Sequence, residues 1–270
     1  MSFTDTTLAD DGFLDIATSR LEYRMIGPRP GAAPTVVMLH EGLGSAGLWG
    51  DFPLRLAQAT GLGVFVYSRA GYGRSAPSPL PWPLHFMHEH ARDVLPRVLD
   101  AIGLRDGILL GHSDGASIAT IYAGTVRDPR IRGVVLLAPH FFTEDFGLEA
   151  IARTREAYET TDLRTRLGRW HRDPDNAFRG WSGVWLDPAF REWDITAELA
   201  AIRVPLLIVQ GADDQYGTLR QVEVAKEVCR VPVTTAILPA TRHSPHRDQP
   251  AATIAAIVDF CPPDLRPAAE

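Results

Sequence analysis

Gly107-Ile-Leu-Leu-Gly-His-Ser-Asp-Gly115, followed at once by Ala116-Ser-Ile-Ala-Thr-Ile121, decides the fold. An apolar strand-like run opens it, a Gly-His-Ser-Asp-Gly turn follows, and small residues in a helical pattern close it. Gly-x-Ser-x-Gly is short and recurs by chance, but between a buried strand and a small-residue helix it is specific. The sharp turn puts strained backbone angles on Ser113, and the flanking glycines let neighbouring chain come close. It lifts the Ser113 hydroxyl above the sheet edge at a helix N-terminus, where N–H groups and the helix dipole favour negative charge. Ser113 is the candidate nucleophile.

Working outward, further apolar runs at 35–40, 63–68, 132–138, 205–210 and 234–238 read as strands. Between them, 48–59, 85–102, 116–126, 219–228 and 251–260 read as helices, with Pro96 expected to bend the second. Continuous Val/Ile/Leu runs separated by helices predict a mostly parallel sheet covered on both faces. Residues 13–26 alternate and predict an antiparallel edge. Residues 141–204 carry no strand-like run and include Trp170, Trp181, Trp185 and Trp193. So long a crossover predicts a helical cap folded over one end of the sheet, with 1–140 and 205–270 forming the core. Its tryptophans either roof a pocket or form the insertion's own small core.

The 270 residues carry a net charge of -6 and no basic block, which argues against nucleic acid as a partner. Cys229 and Cys261 form neither a metal spacing nor a redox pair. The N-terminus lacks a basic region followed by an apolar one, and no run approaches the roughly 20 apolar residues of a membrane helix. A cytoplasmic protein without membrane contact is expected. His85-Phe-Met-His-Glu-His90 resembles a metal cluster, but no complementary ligand pattern lies elsewhere; it reads as a helix face, and no metal is expected.

A serine hydroxyl is a poor nucleophile until a base takes its proton. Two later strand ends supply partners. Gly211-Ala-Asp-Asp214 offers Asp213 or Asp214, and Thr241-Arg-His-Ser-Pro-His246 offers His243 or His246. The histidine would act as general base and then general acid, and the carboxylate would hold its tautomer.

With His40-Glu-Gly-Leu-Gly-Ser45, Tyr67-Ser-Arg-Ala-Gly-Tyr-Gly-Arg-Ser75 and the histidine loop running to Pro250, these motifs resemble the α/β-hydrolase superfamily over almost the whole chain. The resemblance is in particular to its capped esterase, C–C hydrolase and lactonase-like members. The resemblance implies that Asp214, third after the glycine, is the acid. It implies that His243, seven residues before Pro250, is the base, leaving His246 a satisfied or surface group. It implies an oxyanion hole from the N–H groups of Asp114 and Gly42, a small-molecule substrate and no cofactor. His40, Glu41, His112, Phe141, Phe142, Trp181 and Trp185 are candidate pocket residues.

Two departures stand out. Arg242 replaces the glycine usual before the histidine. Glu41 replaces the glycine usual after His40, and is expected to point away from the oxyanion hole and pair with Arg69. Asp114 is expected to cap its helix or bind an arginine, in preference to reaching the pocket wall and favouring a cationic amine.

The expected activity is cleavage of a small carboxylic ester or lactone through an acyl-enzyme on Ser113. Alternatives are a C–C hydrolase of a dienone ring-fission product, a cofactor-free haloperoxidase-like or acyltransferase activity, and a non-catalytic ligand-binding protein. The oligomeric state, monomer or homodimer, is left open.

Overall fold

The computed structural model describes residues 10–17 and 19–265; the N-terminal stretch read above for a leader lies outside them. β1 (Asp11–Ile16) and β2 (Ser19–Ile26) form an antiparallel hairpin in which Leu14, Ile16, Leu21, Tyr23 and Met25 face the core. Alternation of this kind buries one face only. β3 (Thr35–Leu39) and β4 (Gly63–Tyr67), joined through α1 (Phe52–Thr60), are instead buried at every position. Val36 and Met38 pack with α1 on one face of the sheet, while Val37 and Leu39 pack into the core on the other. A strand covered on both sides has no polar face to show, hence its unbroken apolar run.

α2 (Phe86–Glu89) and α3 (Leu95–Ala101) stand where a single bent helix was expected, separated by one wide π turn at His90–Val94. Pro96 lacks an N–H and its ring crowds the preceding turn, so the chain widens just ahead of it. β5 (Gly107–His112), α4 (Asp114–Thr125) and β6 (Ile131–Leu137) follow. The chain then leaves the sheet for α5 (Asp145–Thr160), α6 (Leu163–Leu167), α7 (Pro174–Trp185) and α8 (Thr196–Ala200). α5, α6 and α7 pack on one another, whereas α8 returns to lie against α4 and α9 (Arg220–Val228). β7 (Leu206–Gly211), β8 (Val233–Leu238), α10 (Pro245–Asp248) and α11 (Pro250–Phe260) complete the chain.

The eight strands run in the order β1-β2-β4-β3-β5-β6-β7-β8, and every pair from β4 to β8 is parallel. This is the α/β-hydrolase fold. In a parallel sheet the loops leaving the strand C-termini share one edge, where ligands bind. The loops after β3, β5, β6, β7 and β8 carry Gly42, Ser113, His140, Asp214 and His243 to that edge.

The turn between β5 and α4 is tight. Ser113 has φ 53° and ψ −119°, a conformation costly for any residue but glycine. A Cβ on Gly111 would lie 2.2 Å from the Gly115 carbonyl oxygen, and one on Gly115 would lie 2.1 Å from that of Leu39. Only glycine fits at either place. Gly115→Ala is expected to cost about 3 kcal/mol of stability by overpacking rigid backbone. Urea unfolding checks this, and a loss below about 0.5 kcal/mol would contradict the close approach.

Candidate active site

Ser113 Oγ stands 2.9 Å from His243 Nε2, and His243 Nδ1 stands 2.8 Å from Asp214 Oδ2. With Nδ1–H donating to the carboxylate, Nε2 is free to accept the serine proton. Asp214 is held in turn. Its Oδ2 accepts from Gln210 Nε2 at 2.8 Å and its Oδ1 from the backbone N–H of Tyr216 at 2.8 Å. Burial alone would raise this carboxyl, but His243 and the Tyr216 N–H outweigh it and hold it at about 2. Asp213, the neighbour left open by the motif, is exposed.

A cavity of about 170 Å³ lies over Ser113. Glu41, Gly42, His112, Asp114, Trp181 and Trp185 line it, as does His140. Gly42 is spare of side chain because the Trp181 indole lies against it; a Cβ there would come within 2.1 Å of Nε1. Trp185 reaches in from the same helix. Trp193 instead stacks on Phe190, and Trp170 is exposed, so the insertion's tryptophans divide between cavity and packing.

Three expected pocket residues lie elsewhere. His40 is fully buried beneath the loop, with Nδ1–H donating to the Glu41 carbonyl at 2.7 Å and Nε2 accepting from the Arg69 N–H at 3.0 Å. Both ring nitrogens are used in bracing the backbone, and burial keeps the ring neutral. Phe141 is fully buried, its N–H tied to Gln221 Oε1 at 2.8 Å. Phe142 forms a backbone bridge with Asp194. The chain turns away from the cavity directly after His140, taking both rings with it.

Glu41 does not pair with Arg69. The Arg69 guanidinium is fully buried under the loop and meets the main-chain oxygens of His40 and Glu41 first. The Glu41 carboxylate folds back over Gly44 to stand 3.3 Å from His112 Nδ1 and 3.8 Å from Arg247 Nη2. Burial would raise that carboxyl, and the His112 ring followed by Arg247 drives it well below the usual range. His112 Nε2–H donates to the His243 carbonyl at 2.7 Å. Glu41 and His112 thus join the loop after β3 to the loop that carries the candidate base.

Asp114 neither caps its helix nor pairs with an arginine among the described residues. Its Oδ1 accepts from Trp185 Nε1 at 3.1 Å, and its Oδ2 has no hydrogen-bond partner among those residues. Burial raises this carboxyl to about 6, against the pull of Arg69. A folded-state value above the unfolded one means Asp114 stabilises the fold fully below pH ~4, and that contribution is lost as pH rises through about 6. Asp114→Asn keeps the Trp185 acceptor. Its stability relative to the native protein is therefore expected to improve by about 2–3 kcal/mol between pH 4 and pH 8. Parallel urea titrations check the trend; a pH-independent difference would contradict it.

His246 is not a surface group. It is buried with its ring 4.6 Å from that of Trp49 and 4.8 Å from that of His112, and Nδ1 has no hydrogen-bond partner among the described residues. His85 pairs with Glu89 at 2.9 Å and His88 with Glu198 at 3.3 Å.

Two histidines escaped the reading of the sequence. His140 follows β6, its ring centroid 5.4 Å from that of His243, and burial lowers it to about 3. Its position just past a strand C-terminus was the available signal. His171 accepts from the Gly73 N–H at 3.0 Å and donates to the Leu43 carbonyl at 3.0 Å, tying the insertion to two sheet-edge loops. Nothing local in the sequence marks it.

Known proteins share this arrangement of elements. A model of the alpha/beta hydrolase family matches residues 36–257. The chain is 26% identical over 226 residues to a bifunctional esterase/perhydrolase of Acinetobacter calcoaceticus, covering 72% of this chain and 78% of that one. It is 30% identical over 212 residues to a non-heme haloperoxidase of Rhodococcus erythropolis, covering 66% and 74%. The enol-lactonase of Burkholderia xenovorans LB400 has the same fold at TM-score 0.72 and 19% identity, with 92% of this chain and 99% of that one covered. The chain belongs to the alpha/beta hydrolase family and is a hydrolase.

Proposed function

We propose that this hydrolase cleaves a small carboxylic ester or lactone through an acyl-enzyme on Ser113. The observation that carries the reading is the unbroken hydrogen-bonded line from Ser113 Oγ through His243 to a buried Asp214, opening into a small cavity. His243 Nε2 takes the hydroxyl proton as Oγ attacks the carbonyl carbon. The developing oxyanion is received by the N–H groups of Asp114 and Gly42, both at the cavity wall. The tetrahedral intermediate collapses, the ester C–O bond breaks, and the leaving oxygen takes the proton from His243. A water then gives its proton to His243, its oxygen attacks the acyl carbon, and the acid leaves as Oγ is reprotonated.

Asp214 holds the ring's tautomer and stabilises the imidazolium between steps. The helical insertion at 141–204 serves as a cap, closing the cavity with Trp181 and Trp185 and keeping water from the acyl group. A panel of short-chain esters, lactones and dienones tests the reading. Hydrolysis of esters with a pre-steady-state burst of alcohol, or opening of lactones to hydroxy acids, supports it. Turnover of dienones alone, or tight binding without turnover, would replace it.

A further inference from the structure

We propose that the cavity selects small esters bearing an ammonium group near the scissile carbonyl, with the Asp114 carboxylate as the group that binds it; this rests on the ester-hydrolase reading above. Among the described residues no lysine or arginine lines the cavity, while two acidic residues outside the Ser113–His243–Asp214 line do, Glu41 and Asp114. Their situations differ. Glu41 already faces His112 and Arg247. Asp114 is fully buried and, among the described residues, has only the Trp185 indole N–H on Oδ1 and no partner on Oδ2.

A buried acceptor left unfilled is costly, and a charged N–H donor completes it with the strongest kind of hydrogen bond. The nearby cation, Arg69, turns Nη1 and Nη2 to the His40 and Glu41 carbonyls and is not part of the cavity wall. The remaining walls suit a cation as well. Trp181, Trp185 and Tyr216 present aromatic rings, which attract positive charge. His140, kept neutral by burial, adds no opposing charge. Asp114 directly follows the nucleophile, so its carboxylate and the Ser113 hydroxyl share one turn of chain. Ser113 and Asp114 both line the cavity, which sets the bound ammonium close to the carbonyl under attack. The volume of about 170 Å³ keeps the substrate small. A free carboxylate at the same place would meet Asp114 and Glu41 without a compensating arginine.

The test compares kcat/KM for three ethyl esters that differ at one end of the acyl chain: ethyl 3-aminopropanoate, ethyl butanoate and monoethyl succinate, followed by pH-stat at pH 8. The expected order is ammonium over methyl by about tenfold and methyl over carboxylate by a similar factor. In Asp114→Asn, whose amide retains an acceptor for Trp185, the ammonium-to-methyl ratio is expected to fall to about one. Circular dichroism confirms that this variant is folded. Turnover of the butanoate without ammonium preference, or a ratio unchanged in Asp114→Asn, overturns the assignment alone. No turnover of any of the three overturns the assignment, and the ester-or-lactone reading falls with it if lactones are not hydrolysed either.

Discussion

Ser113→Ala is expected to lower kcat for a small ester by about a million-fold while leaving KM nearly unchanged. The serine oxygen is the only atom removed, and it makes the attack in the proposed mechanism, so the loss falls on chemistry and not on binding. The fold should survive. Ser113 already sits at φ 53°, and alanine bears the same backbone strain as serine there. Among the described residues its Oγ bonds only to His243, which keeps its second anchor on Asp214. A change in stability below about 1 kcal/mol is expected. Residual activity above about one-thousandth of the native rate would mean that another group attacks.

Asp214→Asn is expected to lower kcat by about 10,000-fold. The carboxylate accepts from His243 Nδ1–H, Gln210 and the Tyr216 N–H at once. An amide supplies one oxygen and turns an N–H group against donors. The His243 ring is then driven toward the tautomer that cannot accept the serine proton. Asp213→Asn is the matched control: exposed and one residue away, it is expected to change kcat by no more than about twofold. Asp214 also couples stability to acid. Its folded value of about 2 lies below the usual 3.8. It therefore contributes about 2–3 kcal/mol above pH ~4, which is lost as pH falls from there toward 2. Thermal unfolding of native protein and Asp214→Asn should converge in that acid window.

Ser113, Asp214 and His243 were legible because each belongs to a local signature set just after a strand, and a parallel sheet gathers such strand ends at one edge. The antiparallel edge was legible because Leu14, Ile16, Leu21 and Tyr23 alternate within a few residues, but its division into two paired strands was not. Side-chain partners were not. Glu41 and Arg69 are close in space, yet the loop between them presents two carbonyls to the guanidinium before any carboxylate reaches it. His112, which does face Glu41, is 71 positions along the chain from it, and only the sheet order brings them together. Phe141 and Phe142 looked like pocket residues because they follow β6. The backbone turns after His140, so the histidine meets the cavity and the phenylalanines do not. Asp114 shows the same limit. Its bond to Trp185 joins the turn at Ser113 to α7, a contact that no local pattern encodes.

Intact-protein and peptide mass spectrometry after mixing with a slowly deacylating ester, quenched in acid within the first turnover, most directly tests the acyl-enzyme on Ser113. One acyl group should appear per chain, on the peptide containing Gly111-His-Ser-Asp-Gly115, and should be absent from Ser113→Ala. An acyl group on another residue, or full turnover with no covalent adduct at any time, would contradict Ser113 as the nucleophile.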